Sequence, residues 1–150
     1  MMEISVRNFQ RRMPIKQPLV KKLVRKVLSL EKVSAEGEIT VCFVNSSAIR
    51  EVNLNYLGRN LATDVIAFDL SERGAGPSRR LIADIMISSD AAFSNARVFK
   101  TAPRYELFLY LVHGLLHILG YDDQSRAGRL LMQKRQEKLL SQCLSIKAKP

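Results

Sequence analysis

The chain has 150 residues, 47% hydrophobic and 25% charged, which excludes a disordered or fibrous protein and predicts one globular domain over residues 1–150. Its formal net charge of +10 and isoelectric point near 10.0 favour polyanionic partners such as nucleic acid. The two distant cysteines exclude a disulfide framework, and the longest apolar run, broken by His113 and Gly114, is too short to span a membrane. We therefore expect a cytoplasmic protein without a membrane segment.

The elements follow from hydrophobic periodicity and from capping and turn residues. In chain order we predict a strand at 3–8, a helix at 18–30, a strand at 39–44, a helix capped by Ser46 or Ser47 that reaches Tyr56, and strands at 64–70 and 81–87. A helix that starts at Ser88 or Ser89 and reaches about Val98 follows, and then helices at 103–119 and 125–144. The two strands at 64–70 and 81–87 could pair antiparallel. The pattern predicts an α+β domain with a mixed sheet of about four strands, packed by about five helices.

Basic residues are concentrated in two places. The polar loop from Ser71 to Arg80 contains Arg73, Arg79 and Arg80, which could contact phosphates, although loops are polar in general. The first fifth of the chain holds a larger group, and an RNA or ribosomal surface is a natural partner for it, although a solvated basic face has the same pattern. These residues are Arg7, Arg11, Arg12, Lys16, Lys21, Lys22, Arg25, Lys26 and Lys32.

Both histidines of the chain, His113 and His117, lie four residues apart in an apolar helical pattern. Four residues is about one helical turn, so both imidazoles point the same way and could bind one metal ion. Gly120 is placed to end the helix in a left-handed turn and bring Asp123 back as a third ligand. Either histidine alone would be compatible with a buried core residue, but two facing one point favour a metal.

The residues around the histidines limit the chemistry. Imidazole and carboxylate ligands suit zinc, and three protein ligands leave a position for water, as in catalytic sites. Gly114 occupies the position of the glutamate that acts as general base in the protease pattern H-E-x-x-H, which disfavours an ordinary peptidase. Glycine is unfavourable in a helix interior, so we expect another part of the chain to pass close to Gly114.

The segment from His113 to Asp122 resembles the YbeY-type rRNA maturation endoribonucleases, whose usual motif is H-G-x-L-H-L-x-G-Y-D-H. The third histidine of that motif is Asp123 here, and aspartate is also a sound zinc ligand. The resemblance therefore implies one zinc ion per chain, held by His113, His117 and Asp123. The alternative is that Asp122 binds the metal and Asp123 caps the next helix.

A second segment, from Asn53 to Phe68, is similar to the family pattern L-N-x-x-Y-R-G-K-D-x-P-T-D-V-L-S-F. The arginine that follows the tyrosine in the family is Leu57 here. Arg59, two residues further on, could reach the same phosphate or could be a solvated loop charge. Asp64 is a candidate general base that could instead cap the following strand. We therefore name Arg59 and Asp64 as candidate catalytic residues.

The family resemblance implies a single-strand-specific, zinc-dependent endoribonuclease that matures the 3′ end of small-subunit (16S) rRNA and supports ribosome quality control. The implied partners are rRNA and the small ribosomal subunit, together with ribosomal proteins and an assembly GTPase. Two alternatives remain at this point: a non-catalytic RNA-binding assembly factor with a structural zinc, and a zinc hydrolase acting on another class of substrate.

Overall fold

The computed structural model describes residues 1–71 and 80–144, so the predicted loop arginines Arg73 and Arg79 lie outside the described residues. The described part of the chain forms four strands and five helices, as predicted. In chain order they are β1 (Met2–Asn8), α1 (Gln17–Leu30), β2 (Gly37–Val44), α2 (Ser46–Leu57), β3 (Val65–Asp69), β4 (Leu81–Ser88), α3 (Ser89–Phe99), α4 (Pro103–Ile118) and α5 (Arg126–Cys143).

The four strands form one mixed sheet in the order β1-β2-β4-β3. β1 pairs parallel with β2, and β2 pairs parallel with β4. β3 pairs antiparallel with β4, with Val65 opposite Ile87, which confirms the predicted pairing of these two strands. The α+β prediction with a mixed four-stranded sheet and five helices is therefore confirmed.

The two faces of the sheet are covered unequally. Alternate side chains of β4, such as Ala83, Ile85 and Ile87, are buried in the main core with residues of α1, α4 and α5. The opposite face carries a smaller cluster in which Ile49 of α2 packs with Ile66 of β3. The main layer of helices therefore lies on one side of the sheet.

Side-chain caps fix where several helices begin. The hydroxyls of Ser88 and Ser125 accept hydrogen bonds from main-chain N–H groups at the starts of α3 and α5. The predicted cap of α2 by Ser46 or Ser47 is wrong, because Asn45 occupies the cap position and its Oδ1 accepts from the N–H of Ala48 at 2.9 Å. Both serines instead lie inside the helix.

α4 lies at the centre of the helical layer, in contact with α1, α3, α5, β3 and β4. Its side chains are accordingly buried on nearly all sides, among them Leu107, Leu111 and Leu115. Despite this apolar character, no helix among the described residues has the length and hydropathy needed to cross a bilayer.

Candidate metal centre

The last two turns of α4 bring the two histidines together at the edge of the core. The Nε2 atoms of His113 and His117 are 3.0 Å apart, and their rings meet edge to face. The side chains are 27% and 33% exposed, so both reach solvent while the preceding turns of the helix are buried. The helix carbonyls at this end also favour a cation.

Gly114 allows α4 to lie directly against the sheet. A Cβ atom at this position would be 2.9 Å from Cγ2 of Ile85 and 3.2 Å from Cγ2 of Val65. The expectation that part of the chain passes close to Gly114 is thus confirmed, and β3 and β4 are the elements that do so. The glycine sets the distance between the two histidines and the sheet.

The turn after α4 is built around Gly120, which has φ +103°. The N–H of Gly120 donates to the carbonyl of His117 at 3.1 Å, and the N–H of Tyr121 donates to the carbonyl of Leu116 at 3.0 Å. This is the Schellman arrangement, in which a left-handed residue reverses the chain after the last helical turn. The predicted left-handed turn at Gly120 is confirmed.

The reversed chain places Asp123 beside the histidines. Its Oδ2 lies 3.3 Å from Nε2 of His117 and 3.8 Å from Nε2 of His113. Oδ1 of Asp122 instead accepts a hydrogen bond from the N–H of Gln124 at 2.9 Å. Of the two aspartates that the sequence left open, Asp123 is therefore the one that joins the histidines.

The donor atoms of His113, His117 and Asp123, hereafter the triad, have a geometry that fits one metal ion. All three atoms lie within 4.8 Å of one another. Two ligands at about 2.0–2.2 Å from one tetrahedral zinc are ~3.3–3.6 Å apart, close to the separations observed here. The triad could therefore hold one metal ion with little movement of its side chains.

Gln136 of α5 orients the first histidine, and the sequence did not reveal it. Its Oε1 lies 2.7 Å from Nδ1 of His113. Because an amide oxygen only accepts, this contact favours the tautomer with the proton on Nδ1, which leaves the lone pair of Nε2 for a metal. The available signal was its position one helical turn after the buried Met132, on the same face of α5.

A cluster around Glu31 anchors the loop that carries Asp123. The hydroxyl of Tyr121 donates to Oε2 of Glu31 at 2.8 Å, and the guanidinium of Arg135 donates to Oε1 of the same carboxylate. Burial, followed by the hydrogen bond to the nearby Glu31 carboxylate, raises the pKa of Tyr121. The end of α1, the loop and α5 are thereby joined in one hydrogen-bonded group.

Gly128 permits the same loop to fold closely onto the start of α5. A Cβ atom at Gly128 would lie 2.3 Å from the carbonyl oxygen of Asp122, a distance that no side chain tolerates. The N–H of Gly128 also donates to the Ser125 hydroxyl at 2.9 Å. The position of Asp123 therefore depends on a glycine that sequence reasoning did not single out.

Two clefts flank the triad. The first, hereafter the Arg59 cleft, has a volume of about 560 Å³ and contains His117 and Leu57 as well as Arg59. The buried Asn53 shapes its wall by donating to the carbonyl of Leu61 at 2.8 Å. Leu57 is 52% exposed in this cleft, at the position where the related pattern carries arginine.

The second cleft, hereafter the Glu106 cleft, has a volume of about 600 Å³ and contains His113, Asp123 and Asp64. Oδ1 of Asp64 accepts the N–H of Val65 at 2.8 Å, so this carboxylate also caps the start of β3. The structure thus places the two candidate catalytic residues in different clefts, Arg59 on the side of His117 and Asp64 on the side of His113.

Glu106 is a further acidic residue of the second cleft that sequence reasoning missed. It is only 3% exposed and lies in the first turn of α4. Burial raises its pKa, a nearby Thr101 hydroxyl opposes this, and the Asp64 carboxylate raises it further. A single glutamate within an otherwise apolar helical pattern was the signal for this position.

Comparison with known proteins gives a consistent result. The model of the family described as endoribonuclease YbeY matches residues 5–144 of the chain. A relative named endoribonuclease YbeY from Moorella thermoacetica is 36% identical, covering 93% of this chain and 96% of its own. A relative of the same name from Lysinibacillus sphaericus is 36% identical, covering 81% of this chain and 82% of its own.

A solved structure agrees at the level of the fold. A protein of Thermotoga maritima, determined in solution, superimposes with a TM-score of 0.60 over 93% of this chain and 90% of its own, at 24% identity. The match of the family model over nearly the whole chain and the identity to full-length relatives decide the assignment. The chain belongs to the family described as endoribonuclease YbeY.

Proposed function

We propose that this protein is a zinc-dependent endoribonuclease that cleaves single-stranded RNA and matures the 3′ end of small-subunit (16S) rRNA, with a role in ribosome quality control. The observation that carries the proposal is the half-exposed triad at the junction of two clefts. Membership of a family named for endoribonuclease activity and a net charge of +10 support it.

His113, His117 and Asp123 are the proposed zinc ligands. When bound, zinc would act as a Lewis acid toward a phosphate oxygen and lower the pKa of bound water to about 7. The two imidazoles and one carboxylate suit this metal, and their solvent exposure suits a reactive rather than a closed structural site. The triad thus favours a catalytic role for the metal.

The surrounding side chains have distinct proposed roles. Gln136 holds the Nδ1 proton of His113 and so fixes the orientation of that imidazole. Arg59 binds a phosphate of the RNA in the cleft that it shares with His117. Asp64, held in place by the N–H of Val65, accepts the proton of the attacking water from the side of His113.

The proposed partners follow from charge and family. We propose rRNA and the small ribosomal subunit as the principal partners, with ribosomal proteins and an assembly GTPase positioning the enzyme. The basic residues of α1, such as Lys22 and Arg25, are exposed and suit an RNA surface. We also propose a cytoplasmic location, since Cys42 and Cys143 are both free thiols.

The test is cleavage of a small-subunit rRNA precursor by the purified protein, before and after chelation and after zinc is restored. We expect chelation to abolish cleavage and zinc to restore it. His117→Ala should remain inactive under all conditions, because it lacks a proposed ligand. Asp122→Asn is the control, since its amide oxygen can still accept the N–H of Gln124 and the residue lies outside the triad.

The alternatives give different results in the same samples. If every sample is inactive while RNA is still bound, the protein is an RNA-binding assembly factor. A structural zinc would leave both His117→Ala and the metal-free parent without a cooperative melting transition, whereas a catalytic zinc leaves both of them folded. Cleavage of a peptide library, with RNA left intact, would instead indicate a zinc hydrolase of another substrate class.

A further inference from the structure

The two clefts beside the triad differ in charge. The Glu106 cleft carries three carboxylates besides the triad aspartate, those of Asp64, Glu106 and Glu137. The cation that lines it, Arg129, directs its guanidinium to the main-chain oxygen of Asp123 at 3.4 Å. A phosphate is therefore disfavoured in this cleft, whereas groups that donate hydrogen bonds to carboxylates are favoured.

The Glu106 cleft also has apolar and aromatic walls. Phe99, Tyr105, Leu109 and Met132 line it, and Phe99 is 64% exposed at the end of α3. Its volume of about 600 Å³ is in the range of small-ligand pockets. A flat ring could therefore enter beside His113 and stack on an aromatic side chain.

Acidic and aromatic groups lie next to each other in this cleft. Glu137 and Glu106 line the same cleft as Tyr105, and the charges of their carboxylates add to the effect of burial in raising the pKa of its phenol. Asn95 contributes a fixed amide, since its Nδ2 donates to the hydroxyl of Tyr110 at 2.7 Å. The cleft therefore offers hydrogen-bond acceptors to the edge of a ligand ring that stacks on one of its aromatic side chains.

We propose that the Glu106 cleft binds a nucleobase next to the phosphate at the triad and favours bases that carry an exocyclic amino group. Cytosine, adenine and guanine present such a group, whereas uracil does not, and carboxylates accept its protons. An unstacked base of single-stranded RNA can enter the cleft ring first while its backbone continues toward Arg59. The inference rests on the proposed function and adds a base preference to it.

Binding of RNA to the zinc-depleted protein tests this preference without cleavage, because the proposed reaction requires zinc. We would measure, by fluorescence anisotropy, the affinity of 2′-O-methyl oligouridine and of the same oligomer with one central cytidine, adenosine or guanosine. The amino-bearing oligomers should bind about fivefold more tightly or better. Glu137→Gln should reduce this difference, because the amide carries no negative charge.

Phe99→Ala and Val98→Ala form a matched pair of neighbouring exposed positions. Loss of the Phe99 ring should weaken binding of the amino-bearing oligomers about five- to fiftyfold. Val98 is 72% exposed and does not line the cleft, so Val98→Ala should bind like the parent. Equal affinity for all oligomers, or unchanged binding by Phe99→Ala, would overturn the base site.

Cleavage of the unmodified oligomers by the same preparations separates the two proposals. Zinc-restored cleavage without any base preference overturns the base site and leaves the endoribonuclease intact. Retained base preference without cleavage overturns the endoribonuclease and leaves the base site. Absence of RNA binding by the parent protein overturns both.

Discussion

The side chains of the triad come from two regions of different construction. His113 and His117 belong to α4, which packs against five other elements and contributes to the core. Asp123 belongs to an exposed loop that is shaped by Gly120, Gly128 and the hydrogen bond of Tyr121. The helix therefore fixes two of the proposed ligands through packing, whereas the loop fixes the third through a few local contacts. Changes in the two regions should have separable effects.

The largest expected effect tests the loop ligand itself. Asp123→Asn should weaken zinc binding by more than about 100-fold, beyond the range typical of losing an outer partner of a metal ligand. The fold should stay intact because the side chain is 43% exposed. Competition with a chromophoric chelator measures the affinity, and Asp122→Asn is the control. Equal affinities of the two variants would exclude Asp123 as a ligand.

Removing Gln136, the hydrogen-bond partner of His113, tests how α4 holds its two histidines. Gln136→Leu should weaken zinc binding by about 10–100-fold, because Nδ1 of His113 loses the acceptor that fixes its tautomer. Gln133→Leu, one turn earlier on α5 and exposed, is the matched control. Isothermal titration calorimetry measures the zinc affinity of both variants. A smaller loss of zinc affinity in Gln136→Leu than in Gln133→Leu would contradict the proposed role of Gln136.

A change in the packing of α4 should act on stability. Gly114→Val places branched carbon atoms where even a Cβ would be 2.9 Å from Ile85, so the helix must move away from the sheet. We expect the free energy of unfolding to fall by about 1–3 kcal/mol. Urea denaturation of the metal-free protein measures this, and an unchanged midpoint would show that the helix adjusts without cost.

The smallest expected effect comes from the anchor of the loop. Tyr121→Phe removes the hydroxyl that donates to Glu31 and should lower the free energy of unfolding by about 0.5–1.5 kcal/mol. It should also reduce zinc affinity, since Asp123 lies two residues further on. Urea denaturation and zinc titration together test the link. A stability loss with no change in zinc affinity would show that this anchor does not position Asp123.

Regular periodicity accounts for what could be predicted from the sequence. The apolar spacing of α4 placed His113 and His117 on one face, and Gly120 indicated the turn toward Asp123. The apolar and β-branched runs indicated the four strands and the antiparallel pairing of β3 with β4, but not the order of the sheet. These features depend on neighbours in sequence, which the chain displays directly.

Contacts between distant segments could not be predicted in the same way. Gln136 meets His113 across 23 residues, and Tyr121 meets Glu31 across 90. The position of Gln136 on the same helix face as Met132 is a weak signal that does not name its partner, and the sequence around Tyr121 does not indicate Glu31. Only the packing of α5 and α1 against α4 brings these residues together. The close approach of Gly128 to Asp122 could not be predicted either. The contact is to a main-chain oxygen, which every residue has, so no residue type indicates it.

The position of Gln136 in the last described helix has a consequence for synthesis on the ribosome. Both histidines leave the exit tunnel before α5, which supplies the acceptor for the Nδ1 proton and carries the buried Met132. A nascent chain that ends before α5 therefore lacks the hydrogen bond that orients His113 for the proposed metal. Cutting activity would then begin only after the ribosome that made the chain has translated α5.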